Sequence, residues 1–284
     1  MSVWFITGAS RGFGAEIVEK LLADGHQVVA TARNPQAITE RFGDAGEALA
    51  AVAVDVTDEA QIAAAVEAGL SRFGRIDVVV NNAGRGLLGA VEEASDAAAR
   101  AVYDANVFGS LNVIRAVLPT LRSQRSGHII NLSSIGGFAS SAGWGIYCST
   151  KFAVEGFSEA LHQEVAPLGI HVTIVEPGYF RTDFLDASSL DTEANIIDDY
   201  ADTAGATRAH ATDANHNQPG DPVKAAAAIV DLASSPQPPL RIQLGRDAFE
   251  GVARKLEFVA QEQRTWRDVA VSTDHDDVAV AVQD

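Results

Sequence analysis

Tyr147 and Lys151 place a phenol and an ammonium group four residues apart. On a helix, this spacing puts both side chains on one face. A phenol with an ordinary pKa of about 10 is a poor acid or base at neutral pH, but a neighbouring cation favours the phenolate and lowers that pKa. The pair therefore indicates acid–base chemistry, although many helices contain an i,i+4 pair with no catalytic role.

Polar residues also follow two apolar runs of the chain. Ser133 and Ser134 come directly after residues 128–132, and the segment Asn81-Asn82-Ala83-Gly84 comes directly after residues 77–80. In open α/β sheets, ligands bind outside the carboxyl ends of the strands. Two strands ending in this way would place both polar segments at one ligand site.

Three glycines follow the first apolar run, in the order Thr7-Gly8-Ala9-Ser10-Arg11-Gly12-Phe13-Gly14. Glycines at a strand-to-helix turn let the backbone approach a pyrophosphate, and the N-terminus of the next helix attracts its charge. The spacing differs from the common Gly-x-Gly-x-x-Gly, and the Lys-Ser/Thr of a nucleoside-triphosphate loop is missing. The motif favours a dinucleotide site over a glycine-rich turn without a ligand.

The segments that must position these residues alternate between short apolar runs and helical patterns. Runs that are apolar throughout indicate strands buried on both faces, and a parallel sheet requires helical crossovers between them. The alternation therefore predicts a doubly wound α/β sheet. The predicted strands are 3–6, 27–30, 51–54, 77–80, 128–132, 171–175 and 240–244, and the predicted helices are 14–23, 35–47, 59–73, 96–123, 147–165 and 222–234.

Two segments depart from this alternation. Residues 182–218, called the lid below, form a polar stretch that is longer than an ordinary connection. We predict that it is a mobile cover over an apolar substrate pocket, and a disordered surface insertion is the alternative. Residues 269–284 are predicted to form an acidic, solvated C-terminal tail, because Asp274, Asp276 and Asp277 lie close together.

Composition excludes several classes of partner. The net charge of −17 predicts a surface that repels nucleic acids and anionic membranes. Cys148 is the only cysteine, so no intramolecular disulfide can form and the cytoplasm is the expected location. No signal peptide or transmembrane stretch is visible in the sequence. The seven histidines lack the spacing of metal ligands, so no metal site is expected.

In combination, these motifs resemble the short-chain dehydrogenase/reductase family in its single-domain form, from Val3 to about Leu244. Tyr147-x3-Lys151 matches the family signature, while Ser134 lies thirteen residues and Asn106 forty-one residues before Tyr147, near the family's usual spacing. Hydroxysteroid-dehydrogenase-like members are the most similar subgroup, through Asn106-Val107-Phe108-Gly109 and Val175-Glu176-Pro177-Gly178. The resemblance implies one Rossmann-type, NAD(P)-binding catalytic domain over residues 1–268, with a mostly parallel sheet of about seven strands.

The resemblance also implies a role for each catalytic candidate. Tyr147 is expected to be the general acid in reduction and the base in oxidation. Lys151 is expected to lower the pKa of that tyrosine and to hold the nicotinamide ribose. Ser134 is expected to hydrogen-bond the substrate oxygen, and Asn106 to hold a water near Lys151.

The cofactor site implied by the resemblance draws on six segments of the chain. Asp55 is expected to contact the adenine, and Phe13 departs from the aliphatic residue that the family usually has at its position. The implied cofactor-binding residues are Gly8, Ser10, Arg11, Gly12, Phe13, Gly14, Arg33, Asp55, Val56, Asn82, Ala83, Gly84, Tyr147, Lys151, Pro177, Gly178, Phe180 and Thr182.

Residues after the second predicted strand favour NADP over NAD. Ala32 stands where relatives that prefer NAD carry an aspartate, and Arg33 follows it as a suitable partner for a 2′-phosphate. Arg11, within the glycine loop, is predicted to add a second cation. The alternative is that one or both arginines are merely solvated.

The sequence thus predicts an oxidoreductase that transfers a hydride between NADP(H) and a carbonyl or secondary alcohol, with a bulky hydrophobic ketone or alcohol as substrate. Trp144, Phe138 and Phe184 are candidate substrate contacts, and Trp144 is equally suited to simple packing. A non-catalytic nucleotide sensor and an epimerase or dehydratase of the same fold are the alternatives. The resemblance implies a homodimer or homotetramer, formed through helices 96–123 and 147–165.

Overall fold

The computed structural model describes residues 1–43 and 45–275, and these residues form nine strands and ten α-helices. The strands are β1 (Val3–Ile6), β2 (Gln27–Ala32), β3 (Leu49–Ala53), β4 (Val78–Asn81), β5 (Gly86–Leu88), β6 (Gly127–Leu132), β7 (Ile170–Pro177), β8 (Leu190–Thr192) and β9 (Arg241–Leu244). The helices are α1 (Gly12–Ala23), α2 (Gln36–Phe42), α3 (Glu59–Phe73), α4 (Asp96–Tyr103), α5 (Gly109–Gln124), α6 (Gly145–Val165), α7 (Ala206–Ala214), α8 (Pro222–Ala233), α9 (Arg246–Thr265) and α10 (Arg267–Val271).

Seven of the strands form one parallel sheet in the order β3-β2-β1-β4-β6-β7-β9. The strand order reverses direction between β1 and β4, which is the switch point of a doubly wound fold and the usual place for a ligand. The predicted Rossmann-type architecture and its seven strands are therefore confirmed. A second, two-stranded parallel sheet pairs β5 with β8 and was not predicted.

Both faces of the large sheet are buried, which explains why its strands are apolar throughout. On β1, the Trp4 and Ile6 side chains pack on one face with helices α1, α2 and α8, while Phe5 packs on the other with α3, α5 and α6. Each of these three side chains is at most 2% exposed. Burial of an aromatic or aliphatic side chain contributes about 1.5–3 kcal/mol, so the two helical layers are the main source of stability of the sheet.

Helices begin and end at the residues that local chemistry favours. The Asp58 carboxylate accepts hydrogen bonds from the backbone N–H groups of Ala60 and Gln61 at the start of α3. Helix α2 is shorter than the predicted helix 35–47 because Gly43, with φ +61°, ends it.

The predicted helix 96–123 is divided into α4 and α5 by a π-helical turn at Asp104–Phe108. Such wide turns inside helices occur mostly at functional sites. Here the turn carries Asn106, whose side chain is held by the backbone of Arg85. The apolar pattern continues through the turn, so it gave no sign of the interruption.

Helix α9 is absent from the predicted elements. Its buried residues are few, namely Ala248, Gly251 and Val252, whereas Phe249 and Leu256 are exposed. The helix was missed although its sequence carries apolar residues at helical spacing, namely Phe249, Val252, Leu256 and Val259.

The C-terminal tail was predicted to begin at residue 269. The structure instead continues α10 to Val271, with side chains exposed up to His275. Residues 276–284, which include Asp276 and Asp277, lie outside the described residues. None of the helices in the described part of the chain is long and apolar enough to cross a membrane.

Candidate active site

A cavity of about 860 Å³ lies at the carboxyl ends of the central strands of the large sheet. Twenty of the predicted site residues line it: Gly8, Ser10, Arg11, Gly12, Phe13, Arg33, Asp55, Val56, Asn82, Ala83, Gly84, Ser134, Trp144, Tyr147, Lys151, Pro177, Gly178, Phe180, Thr182 and Phe184. Gly14, Asn106 and Phe138 do not belong to its wall. The fold therefore brings most of the predicted residues together at one site.

The glycine loop is held in place by Thr7 and Asn82. The Asn82 Nδ2 atom donates to the carbonyl oxygens of Thr7 and Gly8, both at 3.0 Å. In return, the Thr7 hydroxyl accepts from the backbone N–H groups of Asn82 and Ala83 at 3.0 Å. A Cβ atom at Gly14 would lie 2.6 Å from Asn82 Nδ2, so a glycine is needed there for packing rather than for contact with the cavity.

The N-terminus of α1 fits a phosphate group. No side chain caps this helix end, so the first backbone N–H groups retain their hydrogen-bonding capacity and the positive end of the helix dipole. Gly12 lies at this end with φ +54°, and a Cβ atom there would be 3.7 Å from the Thr182 side chain, in the space between loop and lid. Uncapped donors beside a cavity form a typical site for the pyrophosphate of a dinucleotide.

The two predicted phosphate-binding arginines differ in their surroundings. Arg11 contacts the lid, because its guanidinium donates to the Ser188 hydroxyl, the Ser188 carbonyl and the Ser189 hydroxyl at 2.6, 2.8 and 2.8 Å. Arg11 was expected to supply a second cation for the cofactor phosphate. In this structure its guanidinium instead donates three hydrogen bonds to the two serines. Arg33 is exposed at the end of β2. Within the part of the chain that the structure describes, it forms no ion pair or hydrogen bond.

The predicted catalytic side chains come from two neighbouring elements. Tyr147 and Lys151 lie one turn apart on α6, with Lys151 Nζ 5.8 Å from the centroid of the tyrosine ring. Ser134 follows β6, and its Oγ atom accepts a hydrogen bond of 3.0 Å from the backbone N–H of Gly136. The phenol, the ammonium and the hydroxyl therefore lie close together in the wall of the cavity.

Burial changes the proton affinity of both helix residues. It raises the pKa of the Tyr147 phenol, and the nearby Ser134 hydroxyl opposes this rise. It lowers the pKa of Lys151 to about 8, while the negative charge of Glu155 acts in the opposite direction. Desolvation of the phenol is the largest effect on the pKa of Tyr147 in this structure, and a lowering of that pKa by Lys151 stays a prediction.

The Asn106 side chain holds the backbone of Arg85 and does not line the cavity. Its Nδ2 atom donates to the Arg85 carbonyl at 2.9 Å and to the Thr150 hydroxyl at 3.0 Å, and its Oδ1 atom accepts from the Arg85 N–H at 2.9 Å. The side chain is 1% exposed and its amide donors are used within the protein. These contacts join α6 to the segment after β4. Both N–H groups of the Asn106 amide are used in them, so neither is left to donate to the predicted water.

The chain matches known proteins over most of its length. A family model described as short chain dehydrogenase covers residues 2–193. An oxidoreductase of Botryotinia fuckeliana is 40% identical over 272 residues, 95% of this chain and 98% of the relative. The 3-ketodihydrosphingosine reductase of Bacteroides thetaiotaomicron is 40% identical over 241 residues, 84% of this chain and 86% of the relative.

Among solved structures, a short-chain dehydrogenase from Streptomyces avermitilis has a TM-score of 0.90 and 41% identity, covering 96% of this chain and 99% of that one. This chain belongs to the short-chain dehydrogenase family. Short-chain dehydrogenases of known structure include the similar chain from Burkholderia cenocepacia in complex with NADP, with 27% identity, a TM-score of 0.68, and coverage of 95% and 96%. The 3-ketoacyl-(acyl-carrier-protein) reductase from Brucella melitensis, complexed with NADH, has 26% identity, a TM-score of 0.70, and coverage of 86% and 98%.

This short-chain dehydrogenase is thus an oxidoreductase of a family that uses nicotinamide cofactors. Aromatic residues form the cavity wall around the predicted catalytic side chains. The Tyr147 ring lies 5.5 Å from the Trp144 ring and 5.6 Å from the Phe184 ring, centroid to centroid. Phe13 packs edge-on against Phe180 at 5.1 Å, which accommodates its departure from the family's aliphatic residue.

The lid of this short-chain dehydrogenase is folded and docked. It contains β8, α7, two 3₁₀ turns at Asp183–Leu185 and Asp198–Tyr200 and a π-helical turn at Ala201–Gly205. Glu93, whose side chain is fully buried, holds it through the Arg208 guanidinium at 2.6 Å and the Ile197 N–H at 2.9 Å. Arg85 forms an ion pair with Asp191. The alternative of a disordered insertion therefore does not describe this segment.

Sequence reasoning missed several residues of the cavity wall. Tyr179, Gln218, Gly251, Arg254 and Lys255 line it, the last three from helix α9. The proximity of Tyr179 to Pro177-Gly178 could have suggested it. Nothing in the sequence indicates that α9 returns to the carboxyl ends of the strands.

The fold also assembles three side chains that no local spacing suggests. Asp183, Asp186 and His216 have potential metal-ligand atoms within 4.8 Å of one another. The His216 ring lies 3.1 Å from the Asp186 carboxylate, which also accepts from Asn215 at 2.7 Å. The lid thus uses this cluster for its own contacts.

Proposed function

We propose that this protein is an NADP-dependent reductase or dehydrogenase that transfers a hydride between NADP(H) and a bulky, hydrophobic ketone or secondary alcohol. The observation that carries the proposal is that Tyr147, Lys151 and Ser134 line the same cavity as the glycine loop. A hydride acceptor placed between them would meet both cofactor-binding and acid–base groups.

The chain's own groups fit the cofactor. The uncapped N-terminus of α1 would hold the pyrophosphate, and Asp55 and Val56 would bound the adenine end. The segment from Pro177 to Thr182 would border the nicotinamide end. When bound, the cofactor supplies or accepts the hydride, and the protein orients it.

Tyr147 is the proposed proton donor in reduction and acceptor in oxidation. The Ser134 hydroxyl lies on the same side and would donate to the substrate oxygen as negative charge grows on it. Lys151 Nζ, 5.8 Å from the phenol ring centroid, would stabilise the phenolate that remains after proton transfer. In this scheme Tyr147 transfers the proton, Ser134 hydrogen-bonds the substrate oxygen and Lys151 stabilises the phenolate.

Arg33 supports NADP as the preferred cofactor. Its guanidinium is exposed at the cavity and unpaired within the described residues, beside Ala32 rather than an acidic residue. An unpaired arginine is suited to bidentate binding of a phosphate. An acidic residue in place of Ala32 would instead have favoured the ribose hydroxyls of NAD.

The aromatic wall supports a bulky, apolar substrate. Trp144 and Phe184 flank the proposed proton donor, and Leu185 belongs to the same wall. Phe138, the third predicted substrate residue, is half-buried outside this wall and is not part of the proposal. A relative named as a 3-ketodihydrosphingosine reductase is consistent with this class of ketone.

The decisive test is a screen of ketones and secondary alcohols that follows the absorbance of the reduced cofactor. Consumption of NADPH that depends on a bulky ketone supports the proposal, with Tyr147→Phe as the inactive control. NADPH binding without turnover of any carbonyl or alcohol would favour a nucleotide sensor. Conversion of a substrate without net change in the cofactor would favour an epimerase or dehydratase.

We also propose that the protein is a homodimer or homotetramer of the cytoplasm. Phe108 and Phe152 are 52% and 45% exposed, and they lie on segments 96–123 and 147–165, through which the family resemblance implies assembly. The lone Cys148 is a buried thiol, as suits a reducing compartment. Light scattering after size-exclusion chromatography would test the assembly, and a monomer at micromolar concentration would refute it.

A further inference from the structure

The Gln218 side chain is buried without an internal partner. It is 2% exposed, and neither its Nε2 nor its Oε1 atom has a hydrogen-bond partner in the described parts of the chain. The residue belongs to the wall of the cavity at the end of the lid. A buried amide that leaves a donor and an acceptor unpaired destabilises the folded protein, because both groups lose their hydrogen bonds to water.

The backbone around Gln218 imposes this position. The Gln218 carbonyl accepts from the Arg181 guanidinium at 3.3 Å and 3.2 Å. Two residues later, Gly220 exchanges backbone hydrogen bonds of 3.0 Å with Tyr179 and Arg181. The backbone of this residue is therefore held beside the segment that contains Tyr179, Phe180 and Arg181.

Other glutamines of the chain show what a structural role looks like. Gln124 donates to the Ile76 carbonyl at 2.6 Å and accepts from the Ile76 N–H at 3.2 Å. Gln243 donates to the Glu176 carboxylate at 2.7 Å. Gln218 differs from both, because its amide donates to and accepts from no group of the described residues.

We propose that Gln218 is a ligand-recognition residue whose carboxamide binds a group that offers both a donor and an acceptor. This inference rests on the proposed function and specifies the ligand chemistry of the same cavity. Two bound molecules could present such a group: the cofactor, through its nicotinamide carboxamide, or a substrate with a second polar group, such as a hydroxyl or amide. In either case the Gln218 carboxamide would bind a polar group of the ligand within a cavity wall that is otherwise aromatic.

The test compares Gln218→Met with Gln124→Met, because methionine has nearly the shape of glutamine and lacks its amide. Three quantities are measured: the unfolding temperature without ligand, the Kd of NADPH in the absence of turnover, and the KM for substrate. We expect Gln218→Met to unfold at no lower temperature than the wild type, because it removes unpaired buried groups. Gln124→Met should unfold at a lower temperature and bind ligands normally.

The two sources of the ligand group give different results. A nicotinamide partner raises the Kd of NADPH about tenfold for each hydrogen bond lost, and the change is smaller for the 3-acetylpyridine analogue, which lacks the amide donor. A substrate partner raises KM by a similar factor and leaves both cofactor affinities unchanged. Gln218→Leu serves the same comparison if the methionine variant does not fold.

Unchanged Kd and KM in a folded Gln218 variant would overturn the inference, as would a loss of stability equal to that of Gln124→Met. Because Kd is measured without turnover, this failure is separate from a failure of the proposed reductase activity, which the Tyr147→Phe comparison tests.

Discussion

The Nζ atom of Lys151 donates a hydrogen bond of 2.8 Å to the backbone carbonyl of Leu132. Leu132 is the last residue of β6, and Ser134 follows two positions later. This contact joins the helix that carries Tyr147 to the strand end that carries Ser134. The relative position of the three groups therefore depends on the packing of α6 against the sheet.

Replacement of Tyr147 by Phe removes the proposed proton donor and keeps the ring's contacts with Trp144 and Phe184. Turnover should fall by about 10²–10⁴-fold, the usual contribution of general acid–base catalysis. The Kd of NADPH should hardly change. Steady-state kinetics and equilibrium binding test both points, and near-wild-type turnover would refute the assigned mechanism.

The affinity for NADPH should decrease as the pH rises through about 8, because Lys151 loses its positive charge at its lowered pKa of about 8. The unfolded chain keeps this proton up to the ordinary value of 10.5, so between the two values it binds more protons and the free energy of unfolding rises with pH. Kd should be measured from about pH 6.5 to about pH 9.5, a range that spans the folded-state value.

Lys151→Met is the matched variant for this experiment. It should bind NADPH more weakly at neutral pH and show no such dependence, because it has no proton to lose there. A wild-type Kd that stays constant above pH 8, or the same slope in both proteins, would assign the effect to another group.

Arg33→Asp should weaken NADPH binding far more than NADH binding. The variant replaces a cation that has no partner in the described part of the chain with a charge that repels a 2′-phosphate. A charge-assisted hydrogen bond contributes about 1.5–3 kcal/mol, or roughly 10- to 100-fold in Kd. Arg122→Asp is a charge-matched control, since Arg122 is exposed near the end of α5, away from the cavity. A constant ratio of kcat/KM for the two cofactors would remove Arg33 from the site.

Glu93→Gln should loosen the lid. The Arg208 guanidinium and the backbone N–H groups of Ile197 and Ala90 lower the pKa of Glu93 to about 2. The resulting stabilisation is complete above the ordinary value of 4.5 and is lost as the pH falls towards 2. The variant should unfold at a lower temperature at pH 7 and show a smaller loss of stability on acidification.

Glu250→Gln is the control for this comparison, because Glu250 contacts Arg254 at 4.0 Å on the surface and exposed pairs contribute little. Thermal unfolding between about pH 3 and pH 7, the range in which carboxylates titrate, provides the measurement. Equal unfolding temperatures for Glu93→Gln and the wild type would contradict the anchoring role of Glu93.

Hydrogen exchange across residues 182–218 should slow when cofactor and substrate analogue are both bound, because lids exclude water when they close over a ligand. Arg11→Ala should speed exchange near Ser188 and Ser189, whose hydroxyls Arg11 now holds. Shortening the lid should raise KM for bulky substrates and leave NADPH affinity intact. Exchange that is unaffected by ligands, together with unchanged kinetics, would refute the lid.

The strands of the large sheet were predictable because both of their faces are buried. Residues such as Trp4, Phe5 and Ile6 must all be apolar when helices cover the two sides, so the pattern is visible without the fold. The position of the ligand site followed from the same logic, since parallel strands present their carboxyl ends at one edge. Spacing along α6 then placed Tyr147 and Lys151 on one face.

Contacts between distant segments were not predictable. The engagement of Arg11 by Ser188 joins residues 177 positions apart, and the Glu93–Arg208 pair spans 115 positions. Asn106 has the spacing of a catalytic residue, yet its amide is used by Arg85 and Thr150. Side-chain partners across the chain have no periodic signature, so the sequence alone did not show which polar groups are already paired.

The sequence by itself determined the sheet, the glycine loop and the spacing of the predicted catalytic residues, because burial and local spacing produce patterns along consecutive positions. Only the tertiary structure decided that Arg11 contacts the lid, that burial governs the pKa of Tyr147, and that neither Arg33 nor the Gln218 amide has a partner among the described residues. These properties depend on solvent exclusion and on neighbours from distant parts of the chain, which exist only once the chain has folded.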